Sequence, residues 1–105
     1  MTMVSTATIR IRLPHHLRTL ANVGSEVKVD VEGEVTIRSA LNALEAKFPM
    51  LRGTIRDHVT LQRRAYLRYF VCGVDVSLES ADNLLPEKVV SGEEPLIVLG
   101  AIAGG

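Results

Sequence analysis

The chain has 105 residues, 47% of them hydrophobic and 23% charged, and its 12 basic and 12 acidic side chains cancel. This length predicts one domain with a single core, and a net charge of zero gives no field to draw the whole molecule to nucleic acid or an anionic membrane. The one cysteine, Cys72, excludes an internal disulfide and a cysteine-rich metal site.

No apolar run approaches the about 20 residues of a membrane-spanning helix. The stretch Met1-Thr2-Met3-Val4-Ser5-Thr6 has neither a basic start nor an apolar core, so it does not read as a secretory signal. A cytoplasmic protein is the expectation.

From Ala7 to Leu13 the chain alternates, with Ile9, Ile11 and Leu13 on one face and Thr8, Arg10 and Arg12 on the other, the pattern of a half-buried strand. Pro14, lacking an N–H for the ladder, stops it. His15 to Ser25, with Asn22 and Gly24, reads as a loop. A second alternating strand runs from Glu26 to Glu32, Val27, Val29 and Val31 facing in and Lys28, Asp30 and Glu32 facing out. A turn over Glu32-Gly33-Glu34 leads to a helix that Thr36 is placed to cap. Ile37, Ala40, Leu41, Leu44 and Phe48 form its apolar stripe, Arg38, Asn42 and Glu45 fall on the opposite side, and Pro49 ends it.

Met50 to Arg64 is basic, with room for a short helical turn. Tyr66 to Cys72 reads as a strand with Leu67, Tyr69 and Val71 toward the helix and Arg68, Phe70 and Cys72 outward. Gly73 permits a sharp turn into a short return strand, Val74-Asp75-Val76. Ser80 to Val90 reads as a loop with a helical turn, and Ser91-Gly92-Glu93-Glu94 as a polar turn. Pro95 to Leu99 is the last strand. It is apolar on both faces, which places it inside its sheet or under a partner.

The chain then runs Gly100-Ala101-Ile102-Ala103-Gly104-Gly105, with no charged side chain and nothing longer than isoleucine. Two glycines let a backbone enter a slot too narrow for any Cβ, and six extended residues reach about 20 Å. Such a tail suits delivery of the Gly105 carboxylate into another protein's active site. Residues 1–6 are thus expected as an extended or disordered lead-in, 7–99 as the domain and 100–105 as a flexible tail.

The order β-β-α-β-(β)-β with one main helix predicts an α+β fold of the ubiquitin-like β-grasp type, a mixed sheet of four to five strands with the helix on one face. The chain resembles the MoaD/ThiS sulfur carrier proteins over nearly its whole length. The resemblance is carried by Ile11-Arg12-Leu13-Pro14-His15-His16-Leu17-Arg18, by the helix Ala40-Leu41-Asn42-Ala43-Leu44-Glu45-Ala46-Lys47-Phe48-Pro49, and by Tyr69-Phe70-Val71-Cys72-Gly73-Val74-Asp75-Val76. Most specific is the ending, Ser91-Gly92-Glu93-Glu94-Pro95-Leu96-Ile97-Val98-Leu99 followed by Ala101-Ile102-Ala103-Gly104-Gly105. Two positions depart from the family: Cys72 stands where Asn is common, and Gly100 where Pro is common.

The resemblance implies a carrier, not an enzyme. An E1-like adenylyltransferase would adenylate the Gly105 carboxylate, next to Gly104, with MgATP. A persulfide donor would then leave a thiocarboxylate there. The acceptor would be the large subunit of molybdopterin synthase, in molybdenum cofactor biosynthesis, or alternatively a cysteine synthase. Ile102 and Ala103 would anchor the tail in a partner's groove, and Phe70, Leu99 and Ile97 would form an apolar docking patch. No cofactor or metal is expected on the chain itself; ATP and Mg belong to the activating partner.

Other readings stay open at this stage. The same adenylate would serve a ubiquitin-like protein modifier, and a plain interaction module would use the tail for no chemistry. Phe70 and Leu99 could cover a neighbouring loop. Cys72 reads as an inert filler rather than a reactive thiol, His15-His16 lacks a third ligand at useful spacing, and Arg52, Arg56, Arg63, Arg64 and Arg68 read as a solvated basic face or a contact for an acidic partner.

Overall fold

The computed structural model describes residues 5–100. Its elements in chain order are β1 (Thr6–Arg12), α1 (His15–Ala21), β2 (Glu26–Glu32), α2 (Ile37–Lys47), a 3-10 turn (Pro49–Leu51), β3 (Leu67–Val71), β4 (Val74–Asp75), α3 (Glu87–Val90) and β5 (Leu96–Gly100). The strands form one sheet in the order β2-β1-β5-β3-β4. β1 pairs in parallel with β5, and the other neighbours are antiparallel. This is the expected mixed α+β arrangement, with the final strand central in the sheet.

Alternation decides the faces. Ile9 and Ile11 of β1, Val27, Val29 and Val31 of β2, Leu67, Tyr69 and Val71 of β3, and Leu96 and Val98 of β5 are buried. They meet Ile37, Ala40, Leu41 and Leu44 of α2 in one core. At the start of α2, Thr36 Oγ1 accepts from the Ser39 N–H at 3.0 Å and Ser39 Oγ accepts from the Thr36 N–H at 2.8 Å. Two otherwise orphaned donors are thereby satisfied, which stabilises the helix by about 1 kcal/mol.

Four expectations need correction. First, the stretch His15 to Ser25 is not all loop. It opens with α1, whose Leu17 and Ala21 are buried one turn apart, and Asn22 closes it at φ 56° with its N–H directed to Arg18 and Thr19 carbonyls. The i, i+4 pair behind a proline was a helix signal, and packing made it decisive. Second, Glu45 does not join the solvent side of α2. It is buried and ion-paired with Arg56. Third, the basic segment is not a uniformly solvated face. Arg56 is buried, and Arg63 and Arg64 donate to backbone carbonyls, while Leu51 and Ile55 are core residues. Fourth, Phe48 is only partly buried at the C-cap of α2, with Lys47 Nζ 5.7 Å from its ring centroid.

The last strand is shifted by one residue from the expected Pro95 to Leu99 and runs through Gly100. The return strand is shorter than expected, Val74–Asp75. Cys72 lies in the turn rather than the strand, at φ 50° beside Gly73 at φ 79°. Two consecutive positive φ values match the type I′ hairpin, whose twist fits the flanking strands. Among the described residues no helix is long and apolar enough to cross a membrane.

Candidate functional site

With α2 on one face of the sheet, the other face carries the second half of each strand's alternation. In β5 that half is Ile97 and Leu99. The register sets their neighbours: Ile97 stands opposite Phe70 of β3 and Arg12 of β1, and Leu99 opposite Arg68. Opposed residues in a sheet share a face. Phe70, Ile97 and Leu99 therefore form one apolar cluster across the two central strands. Leu99 is 46% exposed, and Phe70 and Ile97 are half-buried.

Charged side chains frame the cluster. On the β1 side, Arg12 is exposed, and Arg10 donates to Glu26 at 2.7 Å and to the Gly92 and Glu93 carbonyls at 2.9 and 2.8 Å. On the β3 side, Arg68 pairs with Asp75 at 3.3 Å. Hydrogen bonds from Ser77, reinforced by the Arg68 charge, hold the Asp75 carboxyl below the usual carboxylate range. Arg10 and Arg68 are thus each tied to a carboxylate. Arg12 has no ion pair among the described residues. The result is an apolar centre with a cationic edge, able to bury against an apolar surface rimmed by acidic groups.

The structure brings Phe70, Ile97 and Leu99 together. Ile102, Ala103, Gly104 and Gly105 lie outside the described residues. The described chain ends with β5 at Gly100, paired with Leu67, one residue beyond Leu99. Arg12 and Arg68 were legible only as outward positions. That they flank Leu99 and Ile97 follows from a pairing of strands distant in sequence. His15 and His16 are exposed at the start of α1, and among the described residues no group of three histidine, cysteine or acidic side chains could hold a metal ion. Cys72 is exposed and free.

No family model matches the chain, and no curated protein does. Solved structures do match its fold. The crystal structure of SAMP1 from Haloferax volcanii superposes with a TM-score of 0.71 at 20% identity, covering 93% of this chain and 99% of that one. The solution structure of small archaeal modifier protein 1 from Methanosarcina acetivorans gives a TM-score of 0.69 at 20% identity, covering 96% and 99%. The likeness establishes the ubiquitin-like β-grasp fold of this chain.

Proposed function

We propose that this protein is a ubiquitin-like sulfur carrier whose reacting group is the Gly105 carboxylate. The observation that supports it most is the position of β5. The last strand is central in the sheet, presents Ile97 and Leu99 beside Phe70 on the open face, and leads directly into Ala101-Ile102-Ala103-Gly104-Gly105. A partner that covers the cluster would meet the tail at the same interface.

The chemistry needs no acid, base or metal from the carrier. A carboxylate is a poor electrophile. An E1-like enzyme using MgATP joins a Gly105 oxygen to the α-phosphate and expels pyrophosphate. The terminal sulfur of a persulfide then bonds to the acyl carbon as AMP leaves. A second thiol takes the donor sulfur as a disulfide and frees the thiocarboxylate, a nucleophile for insertion into an acceptor. We place this sulfur in molybdenum cofactor biosynthesis, with the large subunit of molybdopterin synthase as acceptor. Cysteine biosynthesis is the alternative destination, which the Leu13-Pro14-His15-His16-Leu17-Arg18 stretch favours. The carrier works in the cytoplasm, where these partners would be met. Ile102 and Ala103 seat the tail, and Gly104 keeps it narrow next to the reacting carbon.

A second reading, favoured by the fold likeness to small archaeal modifier proteins, is that the same adenylate passes to a lysine amine and forms an isopeptide. Intact mass of the untagged protein, after incubation with its host's activating enzyme, MgATP and a persulfide donor, tests both. Replacement of one oxygen by sulfur, absent when Gly105 is deleted, is the expected result. Higher-mass conjugates without that replacement would favour the modifier, and neither change, with no AMP–pyrophosphate exchange, would overturn both.

A further inference from the structure

On the helix side of the molecule, away from the open sheet face, lies a concavity of about 580 Å³. Ile37 and Leu41 of α2, Leu61 of the loop after the 3-10 turn and Leu78 make its apolar lining. Sites for small organic molecules span about 300–1,000 Å³ and combine such a lining with a few converging polar groups.

Two polar groups here have unused capacity. Tyr69 lines the concavity and is 4% exposed, yet its hydroxyl has no hydrogen bond among the described residues. No fully enclosed side-chain polar atom lacks a partner among them, so this hydroxyl is not fully enclosed, and the concavity is the opening that Tyr69 lines. A tyrosine so buried ordinarily gives its O–H to a partner. Arg63, also in the lining, donates Nε to the Ser77 carbonyl at 3.2 Å and Nη1 to the Arg64 and Leu67 carbonyls at 3.1 and 2.6 Å. Those bonds fix the guanidinium and leave Nη2 unused; one carboxylate, Asp75, which accepts from the Ser77 N–H, feels the Arg63 charge without an ion pair to it. The other two arginines of the lining differ: Arg56 pairs with Glu45 at 2.9 Å and Arg38 with Asp82 at 2.6 Å. Glu79, exposed, is the carboxylate of the lining itself.

We propose that this concavity binds a small organic anion, with its phosphate or carboxylate on Arg63 and the Tyr69 hydroxyl and its apolar body on Leu61 and Leu78. A fixed guanidinium with a free N–H and a neutral hydroxyl donor lining the same concavity can act as a two-donor oxyanion seat. The volume exceeds what an inorganic ion would fill, and Thr60, Gln62 and Ser77 add polar lining that suits a ligand with a polar headgroup and a small apolar body. The site is independent of the carrier reading, since it lies on the face opposite the Phe70–Ile97–Leu99 cluster.

The test is an amide-resolved NMR titration of the full chain with phenyl phosphate, benzoate and inorganic phosphate. Saturable shifts at Leu61, Arg63, Tyr69 and Leu78 with an organic anion are expected, and the tighter of the two names the headgroup. Inorganic phosphate binds about ten-fold more weakly, having no body to bury. Tyr69→Phe keeps the packing, leaves the unfolding midpoint unchanged and weakens binding about ten-fold. Glu79→Gln, on an exposed residue, tightens it about two-fold or more. No saturable shift with either organic anion, inorganic phosphate binding as tightly as both, or an unchanged Kd in Tyr69→Phe overturns the proposal.

Discussion

Arg56 Nε lies 2.9 Å from Glu45 Oε2, with the two side chains only 4% and 10% exposed. The contact is bidentate, since Arg56 Nη2 reaches Glu45 Oε1 at 3.2 Å, and the same nitrogen also donates to Asn42 Oδ1. It fastens the loop after the 3-10 turn to α2 at a place where neither partner can regain water. Removing one member strands a buried charge. Arg56→Met and Glu45→Leu alone should each destabilise the fold by about 3–5 kcal/mol, whereas the double substitution should recover most of the loss. Urea unfolding of the three variants measures this. Two single losses that simply add in the double variant would show the pair to be uncoupled.

Cys72 at φ 50° occupies the first central position of the turn between β3 and β4. A side chain there costs about 1 kcal/mol in left-handed strain, which asparagine tolerates better. Cys72→Asn should therefore raise stability by about 0.5–1 kcal/mol, an increase in Tm of about 2–8 °C for a domain of this size. Gly73→Ala, next door at φ 79°, should lower it by about 1 kcal/mol. Calorimetry on both variants decides; a stabilised Gly73→Ala would mean that the turn changes type.

Burial pushes the Tyr69 phenol up to about 12, against the opposing pull of the Arg56 and Arg63 charges. The folded pKa lies above the unfolded value of about 10. The neutral form is therefore favoured by the fold, and this contribution is present below pH about 10 and lost as pH rises toward about 12. The chain has 2 tyrosines, so in Tyr66→Phe the tyrosinate absorbance reports Tyr69 alone. Its midpoint should sit near 12 while the protein is folded and fall to about 10 in denaturant. A midpoint near 10 in the folded state would mean that water reaches the phenol freely.

Much of this architecture is readable in the chain because alternation and the α2 stripe are local signals. Val27, Val29 and Val31 announce a strand by themselves, and Thr36, followed by the Ile37–Leu44 periodicity, announces a helix start. What escaped depends on distant partners. Glu45 reads as solvent-facing from its place on the helical wheel, and only Arg56, 11 residues later, gives it a reason to be buried. The same holds for Leu51 and Ile55, which are core residues in a stretch whose composition looks basic and exposed. The site divides likewise. An outward position for Phe70 follows from period-two alternation, but β5 is apolar on both faces, so the outward place of Leu99 and the Phe70–Ile97 and Arg12–Ile97 oppositions require knowing that β5 inserts between β1 and β3.

That insertion gives the docking surface its own test. Leu99 is 46% exposed, so Leu99→Glu removes apolar contact and adds a charge without opening the core. If the open face is where the activating enzyme docks, kcat/KM for adenylation should fall about ten-fold or more, the cost of losing one central contact residue. The unfolding free energy should move by less than about 0.5 kcal/mol, as for an ordinary surface change. Arg12→Ala should cost about two- to five-fold and reduce the salt dependence, because Arg12 supplies the cationic edge. Leu84 offers the control. It is 65% exposed but sits across from Thr36, away from β5, so Leu84→Glu should leave the rate unchanged. Equal losses from Leu99→Glu and Leu84→Glu would point to a general effect of surface charge, and the β5 face would then have no special part in recognition.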